Sequence, residues 1–446
     1  MRGCAHCTRR RGRWNERRPA APKALSPEVR RTEGSRMSAV VPDDLVGRPA
    51  VAWSERAFQG VLTTGLGCLG FFLLFSTAGT SISLFALLCL CFLSPLRIWR
   101  LKPWREPVLG IGLVLLAYIA MRTFIGEGLT WSSVGALNRY HELLMLPLLW
   151  AMMRIARRPQ AFSSGLMVGA LVFAAMHWLS PLIPQLGPFL HSRRISAGFG
   201  LAVCAYLLFE HGRLGALRKW LAYGAAIFLS ITVIFAGEGR TGHLVLLVLL
   251  GCAAYRAAPH RWRLPVMMAI LVGGLFVASM SQPVRLRLVE TWKDAQATNN
   301  GVVVANSSTG ARIELFRNGL IVARENWVLG TGWQNYQTEF ARASAPRHNG
   351  SRDVLGSTAD NPHNEYLMQL GAGGLPALVL FMLWLAWPFW RALREGEDRS
   401  PWAGAVGSVA LAFATGCLFN SLLLDYVEGH FYGCLMAWLL VRRLHH

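Results

Sequence analysis

Leu370-Gly-Ala-Gly-Gly-Leu-Pro-Ala-Leu-Val-Leu-Phe-Met-Leu-Trp-Leu-Ala-Trp-Pro-Phe-Trp390 runs 21 residues without a charge and stops at Arg391. About twenty apolar residues wound as a helix cross the roughly 30 Å hydrocarbon core of a bilayer. Runs of this kind fill most of the 446 residues, 53% of which are apolar and only 15% charged. Inside lipid the backbone must satisfy its own hydrogen bonds, so each run is expected to be a helix. The period-two alternation of a membrane barrel is absent. The expectation is an all-α polytopic membrane protein of about twelve transmembrane helices, at 57–77, 80–96, 107–125, 139–154, 162–182, 195–210, 217–236, 240–256, 264–282, 364–390, 402–424 and 427–441.

Orientation follows from the basic residues, which gather on the cytoplasmic side of membrane proteins. One set of alternating ends holds Arg97, Arg100, Lys102, Arg105, Arg154, Arg157, Arg158, Arg213, Arg218 and Lys219. It continues through Arg256, Arg261, Arg263, Arg391, Arg394, Arg399, Arg442 and Arg443, eighteen positive charges in all. The opposite short connections hold Arg122, Arg193, Arg194 and Arg240. Both termini are therefore expected in the cytoplasm of a bacterial cell. Four segments result: a basic, disordered cytoplasmic segment at 1–50, helices one to nine over 51–282, one large periplasmic loop at 283–363, and helices ten to twelve over 364–446. Within the loop, Ala311–Arg324 carries Ile313, Phe316, Leu320 and Ile321 on an apolar stripe. Asn299-Asn300-Gly301, Gly330-Thr331-Gly332 and His348-Asn349-Gly350 read as turns.

The net charge of +21 does not point to nucleic acid. Residues 1–36 alone supply eleven Lys or Arg against three Glu, without apolar periodicity, and the membrane part loses nothing if the chain starts at Met37. Cys4-Ala-His6-Cys7 is half of a zinc pattern with no second pair to complete it. The other seven cysteines lie in apolar runs and read as packing residues. No phosphate-loop motif is present, and the outer loops lack paired carboxylates or histidine–carboxylate spacing, so neither a cofactor nor a metal is expected.

A few polar residues stand out at the outer surface. Arg240 opens the eighth span, where an arginine either snorkels to headgroups or binds something anionic. Arg193 and Arg194 defy the charge asymmetry; paired guanidinium forks suit a phosphate, and headgroups are the plain alternative. His363 lies in Asp360-Asn361-Pro362-His363-Asn364-Glu365-Tyr366, where the loop re-enters the membrane. Asn361 reads as a helix N-cap with Pro362 at the first helical position. His363 then falls in the first turn, where the helix dipole favours a neutral ring fit to act as a general base. A structural histidine at a helix start is the competing reading.

In order along the chain stand Gly239-Arg240-Thr241-Gly242, Ser308-Thr-Gly-Ala-Arg312-Ile-Glu-Leu-Phe-Arg-Asn318, Trp327-Val-Leu-Gly-Thr-Gly-Trp333 and Pro362-His363-Asn364-Glu365-Tyr366-Leu367. Together with the topology, these motifs resemble the O-antigen ligase and polymerase superfamily of membrane glycosyltransferases. The resemblance covers spans eight to ten and the loop; the first six spans match in topology only. It implies a GT-C-like fold and a glycan donor carried on undecaprenyl diphosphate. In the ligase branch the acceptor is a sugar hydroxyl of lipid A–core. The family's loop histidine falls on His363 as general base, its span-entrance arginine on Arg240 and its loop arginine on Arg312. With Arg193 and Arg194, these arginines would hold the donor diphosphate, and a single metal-free displacement would invert the anomeric carbon. A polymerase and a protein-glycosylating relative are the rivals within the superfamily. A transporter or flippase is the rival outside it, and would show charged residues in mid-span.

Overall fold

The computed structural model of the chain describes residues 49–93, 95–128, 130–215, 219–237, 239–280, 308–344, 361–399 and 402–444, with a few positions between 286 and 296. The chain divides into two units, 1–55 and 56–446, and the helical bundle is the second of them. The basic segment, Cys4–Cys7, Glu238, the turns at 299–301 and 348–350 and much of 283–363 lie outside the described residues.

Every regular element among the described residues is a helix. In chain order these are α1 (Pro49–Phe72), α2 (Thr77–Leu93), α3 (Pro95–Leu101), α4 (Pro107–Glu127), α5 (Trp131–Asn138), α6 (Glu142–Ile155), α7 (Gln160–Leu179) and α8 (Leu186–Ser192). Then follow α9 (Arg194–Arg213), α10 (Lys219–Ile231), α11 (Arg240–Ala257), α12 (Arg263–Met280), α13 (Ser308–Glu325), α14 (Tyr336–Ser344), α15 (Glu365–Arg399), α16 (Ala403–Gly416) and α17 (Tyr426–Leu444). A helix occupies each of the twelve apolar stretches. Among the described residues, five are long and apolar enough to cross a membrane: Pro107–Ile125, Gln160–Leu179, Arg194–Arg213, Lys219–Ala236 and Glu365–Arg394. Thr77–Leu93 and Pro95–Arg105, bent by 88° from one another, pass the same test only when taken as one broken span, which would bring the number to six.

The core is built around α9 and α17, whose side chains are buried nearly all round. Phe199 of α9 packs edge-on against Phe413 of α16 and Phe431 of α17. Several residues of the basic ends pair inside the protein. Glu106 receives Arg391 at 3.1 Å and Arg443 at 3.3 Å, and Glu210 receives Arg213 at 2.9 Å and Arg256 at 3.3 Å.

Two expectations need correction. The eleventh apolar stretch, 402–424, is helical only to Gly416; Cys417–Asp425 is a loop in which Asn420, Ser421, Leu422 and Leu423 are buried. Its backbone finds partners outside the helix: the Cys417 carbonyl accepts the Glu365 N–H (2.9 Å), the Leu418 carbonyl accepts from the Asn364 side-chain amide (2.9 Å), and the Leu423 N–H donates to Glu365 Oε2 (3.2 Å). The side chains of Asn420 and Ser421 add bonds to Thr241 Oγ1 and Asn361 Oδ1 (2.7 Å each). The second concerns α13. Its helix is where the periodicity places it, but Phe316 and Leu320 are half exposed while Glu314, Leu315, Asn318 and Val322 are buried. The buried face of α13 is therefore not the apolar stripe that the periodicity marks.

Candidate functional site

Four glycines set the first half of the site. A Cβ on Gly242 would meet the Gly198 Cα at 2.4 Å, and one on Gly239 would meet the Arg194 carbonyl oxygen at 2.4 Å. A Cβ on Gly198 would in turn stand 2.9 Å from the Gly242 Cα. With bare backbone at the crossing, α9 and α11 touch at their starts. Arg194 and Arg240 are the first residues of those two helices. The fourth glycine is Gly319 of α13, where a Cβ would stand 2.5 Å from that of Pro362. Arg312 lies seven residues earlier on α13, two turns back on the same face.

His363 does not sit in a helix turn, as the sequence suggests, because α15 begins only at Glu365. Asn364 is the cap: its Oδ1 accepts the Leu367 N–H at 2.9 Å. His363 itself holds a left-handed backbone, φ +48°, uncommon outside glycine. Asn361 holds that turn, its Oδ1 accepting the His363 N–H at 2.8 Å and the Ser421 hydroxyl at 2.7 Å. Behind it, Glu365 is fully buried, bonded to Gln369 (2.8 Å) and to the backbone of Leu423.

These elements bring Arg194, Arg240, Arg312 and His363 together. Burial, then the charges of Arg240 and Arg194, lower the Arg312 pKa from its ordinary value. Burial, then the charges of Arg312 and Arg194, lower that of the imidazole to about 4. The ring is thus neutral at pH 7 through burial and neighbouring cations, not through a helix dipole. Its Nδ1 is buried without a hydrogen-bond partner among the described residues. Cations gathered against mutual repulsion suit an anion with several oxygens, and a neutral imidazole beside them is fit to take a proton. Arg193 has partners of its own. Its guanidinium donates to Thr77 Oγ1 (3.4 Å), lies 5.9 Å from the Phe189 ring and faces Glu428.

The Trp327–Trp333 segment braces this arrangement. Thr331 and Gly332 donate their N–H groups to the carbonyls of Gly371 and Ala372 (2.9 and 2.8 Å), and the Leu375 N–H reaches the Trp327 carbonyl (2.7 Å). The carbonyls of α15 are open there because Gly374 adopts φ +69°, a conformation suited to glycine. Arg122 clamps the turn, donating to the carbonyls of Leu329 and Gly330 at 3.1 Å each. Trp333 donates to the Tyr140 hydroxyl at 2.9 Å. Sequence reasoning singles out none of Arg122, Asn361 and Ser421 for the site; Asn361 reads there only as a helix cap. A second polar group, His141, Glu142 and His430, also has no signature in the sequence spacing.

Residues 225–382, about a third of the chain, match the family model described as O-antigen ligase. No curated protein sequence matches the chain. The matched stretch includes α11, the described loop helices, His363 and the first half of α15. It supports assignment to the O-antigen ligase family and an activity of the ligase or polymerase type.

Proposed function

We propose, from that O-antigen ligase match, that this chain transfers an undecaprenyl-diphosphate-linked O-antigen glycan to lipid A–core at the periplasmic face of the bacterial inner membrane. The observation that carries the proposal is that the charges of Arg312 and Arg194 reach a neutral His363, while those of Arg240 and Arg194 reach Arg312. The three guanidinium groups bind the donor diphosphate, where negative charge grows as the anomeric C–O bond breaks. His363 accepts the proton of the attacking sugar hydroxyl as its oxygen bonds the anomeric carbon. The diphosphate leaves on its lipid, and one displacement inverts the anomeric centre. Arg193 does not touch the donor in this reaction; it sits beside Thr77 and Glu428.

The rest of the reading goes with that reaction. The twelve helices span the membrane, both termini are cytoplasmic, and 283–363 is the periplasmic module. The apolar outer surface of the bundle carries the polyprenyl tail. A polymerase would keep the arginines and the base but extend a glycan on a second carrier lipid. Deleting the gene separates the two. Under the ligase reading the lipopolysaccharide ladder loses its long chains while polymerised carrier-linked glycan accumulates. Loss of the polymer itself would overturn the ligase in favour of the polymerase.

A further inference from the structure

We propose that His141, Glu142 and His430 form a binding site for a divalent transition metal of the zinc class. The three offer one ligand atom each, and these atoms lie within 4.8 Å of one another. His141 and Glu142 open α6, and His430 sits in the first turns of α17, 288 residues from Glu142. Two of the three side chains are almost wholly buried, with relative exposures of 5% for Glu142 and 2% for His430. Glu142 Oε1 and His430 Nε2 are sealed from solvent with no hydrogen-bond partner among the described residues. A buried carboxylate oxygen and a buried imidazole nitrogen left unpaired each carry a desolvation cost. A shared cation removes both.

The surroundings prepare the ligands. His430 Nδ1 lies 2.7 Å from the Tyr426 carbonyl oxygen and His141 Nδ1 lies 2.5 Å from that of Asn138. A carbonyl only accepts, so each Nδ1 carries the proton, and the buried His430 Nε2 presents its lone pair, the usual arrangement behind a metal-binding histidine. His141 Nδ1 also lies 3.7 Å from Glu142 Oε2, which keeps this ring beside the carboxylate. The His430 ring is held by stacking on Tyr426 at 4.1 Å, and the Tyr426 hydroxyl is tied to Ser81 Oγ at 2.6 Å. The two imidazole rings stand 4.7 Å apart.

Two imidazoles and one carboxylate favour zinc-like ions over Mg²⁺ or Ca²⁺, which take oxygen ligands. Bonds of about 2.0–2.2 Å require the ligand atoms to draw closer. His141, with a third of its side chain exposed, has the freedom to move in and leaves a path for the ion. Bound there, the metal staples the start of α6 to the start of α17. Nothing in this site depends on the glycosyl-transfer reading.

The test uses the full-length chain in detergent, with Cys4→Ser and Cys7→Ser so that those thiols do not compete. The protein is stripped with chelator and titrated with Zn²⁺, with bound metal counted after gel filtration. One zinc per chain is expected, together with a higher Tm. Binding should weaken at least tenfold in His141→Ala, His430→Ala and Glu142→Gln. Co²⁺ should give the visible d–d spectrum of nitrogen and oxygen ligands in the parent and lose it in His141→Ala. That variant removes a partly exposed side chain, so its folding does not depend on the buried pair. Failure of the parent to retain stoichiometric zinc overturns the proposal. So does zinc binding of equal strength in the parent and His141→Ala, or displacement of zinc by an equal concentration of Mg²⁺.

Discussion

Gly319→Ala tests whether the spacing between α13 and the His363 segment sets the rate. The added Cβ would lie 2.5 Å from the Cβ of Pro362. Carbon atoms in contact stay about 3.5–4.0 Å apart, so at least about 1 Å must open. A proline ring cannot swing aside, and Pro362 is bonded directly to His363. Arg312 rides on the same face of α13, so the opening moves it away from the imidazole. A misplacement of about 1 Å costs about 10²-fold in rate, and that is the loss expected in kcat. The fold should tolerate the change. Ala gains about 1 kcal/mol over Gly in a helix interior, against about 1–3 kcal/mol for overpacking. Turnover of lipid-linked glycan onto lipid A–core and Tm would be measured on the purified variant, with Gly224→Ala as control because nothing lies within 4 Å of its added Cβ. A Gly319→Ala enzyme with near-parental turnover would refute the reasoning, as would an equal loss in the control.

Three further outcomes are expected. His363→Ala should keep donor binding and lose about 10²–10⁴ in transfer, whereas Arg240→Ala or Arg312→Ala should lose donor binding along with about 10²–10³ in rate; paired binding and turnover measurements decide, and equal damage to binding by His363→Ala removes it from the role of base. Because the free His363 has its pKa lowered to about 4, the base stays deprotonated as pH falls from 7, and the acid limb of kcat/KM should break near 4; a break at the ordinary histidine value of 6.5 contradicts the buried, cation-flanked ring. A periplasmic reporter fused at Gly350 should be active and one fused at Gly396 silent; the reverse result inverts the proposed orientation.

The helices were legible in the sequence because lipid leaves the backbone one local solution. Leu370–Trp390 states its helix without reference to any other residue, and so do the remaining apolar stretches apart from the second half of 402–424. The motifs around Arg240, Arg312 and His363 were also legible, as was the Gly330-Thr331-Gly332 turn, whose two glycines do take positive φ. Local pattern misled at Cys417–Asp425, in α13 and at His363. Cys417–Asp425 is as apolar as a helix end, yet it unwinds to meet Thr241, Asn361 and Glu365. In α13, Glu314 and Asn318 are drawn inside while Phe316 and Leu320 stay out.

The sequence by itself therefore determined which segments are helices and which residues have chemistry to offer. Tertiary structure alone decided which of those residues meet. Arg193 and Arg194 are neighbours in the chain, but one belongs to the turn before α9 and the other to its first residue, so their side chains leave in different directions. His363 reads as a helix residue until Ser421, some sixty positions away, joins Asn361 in holding its turn left-handed. Helix formation is a contest among bonds a few residues apart. The site depends on contacts between segments far apart in the chain, and no local pattern records those.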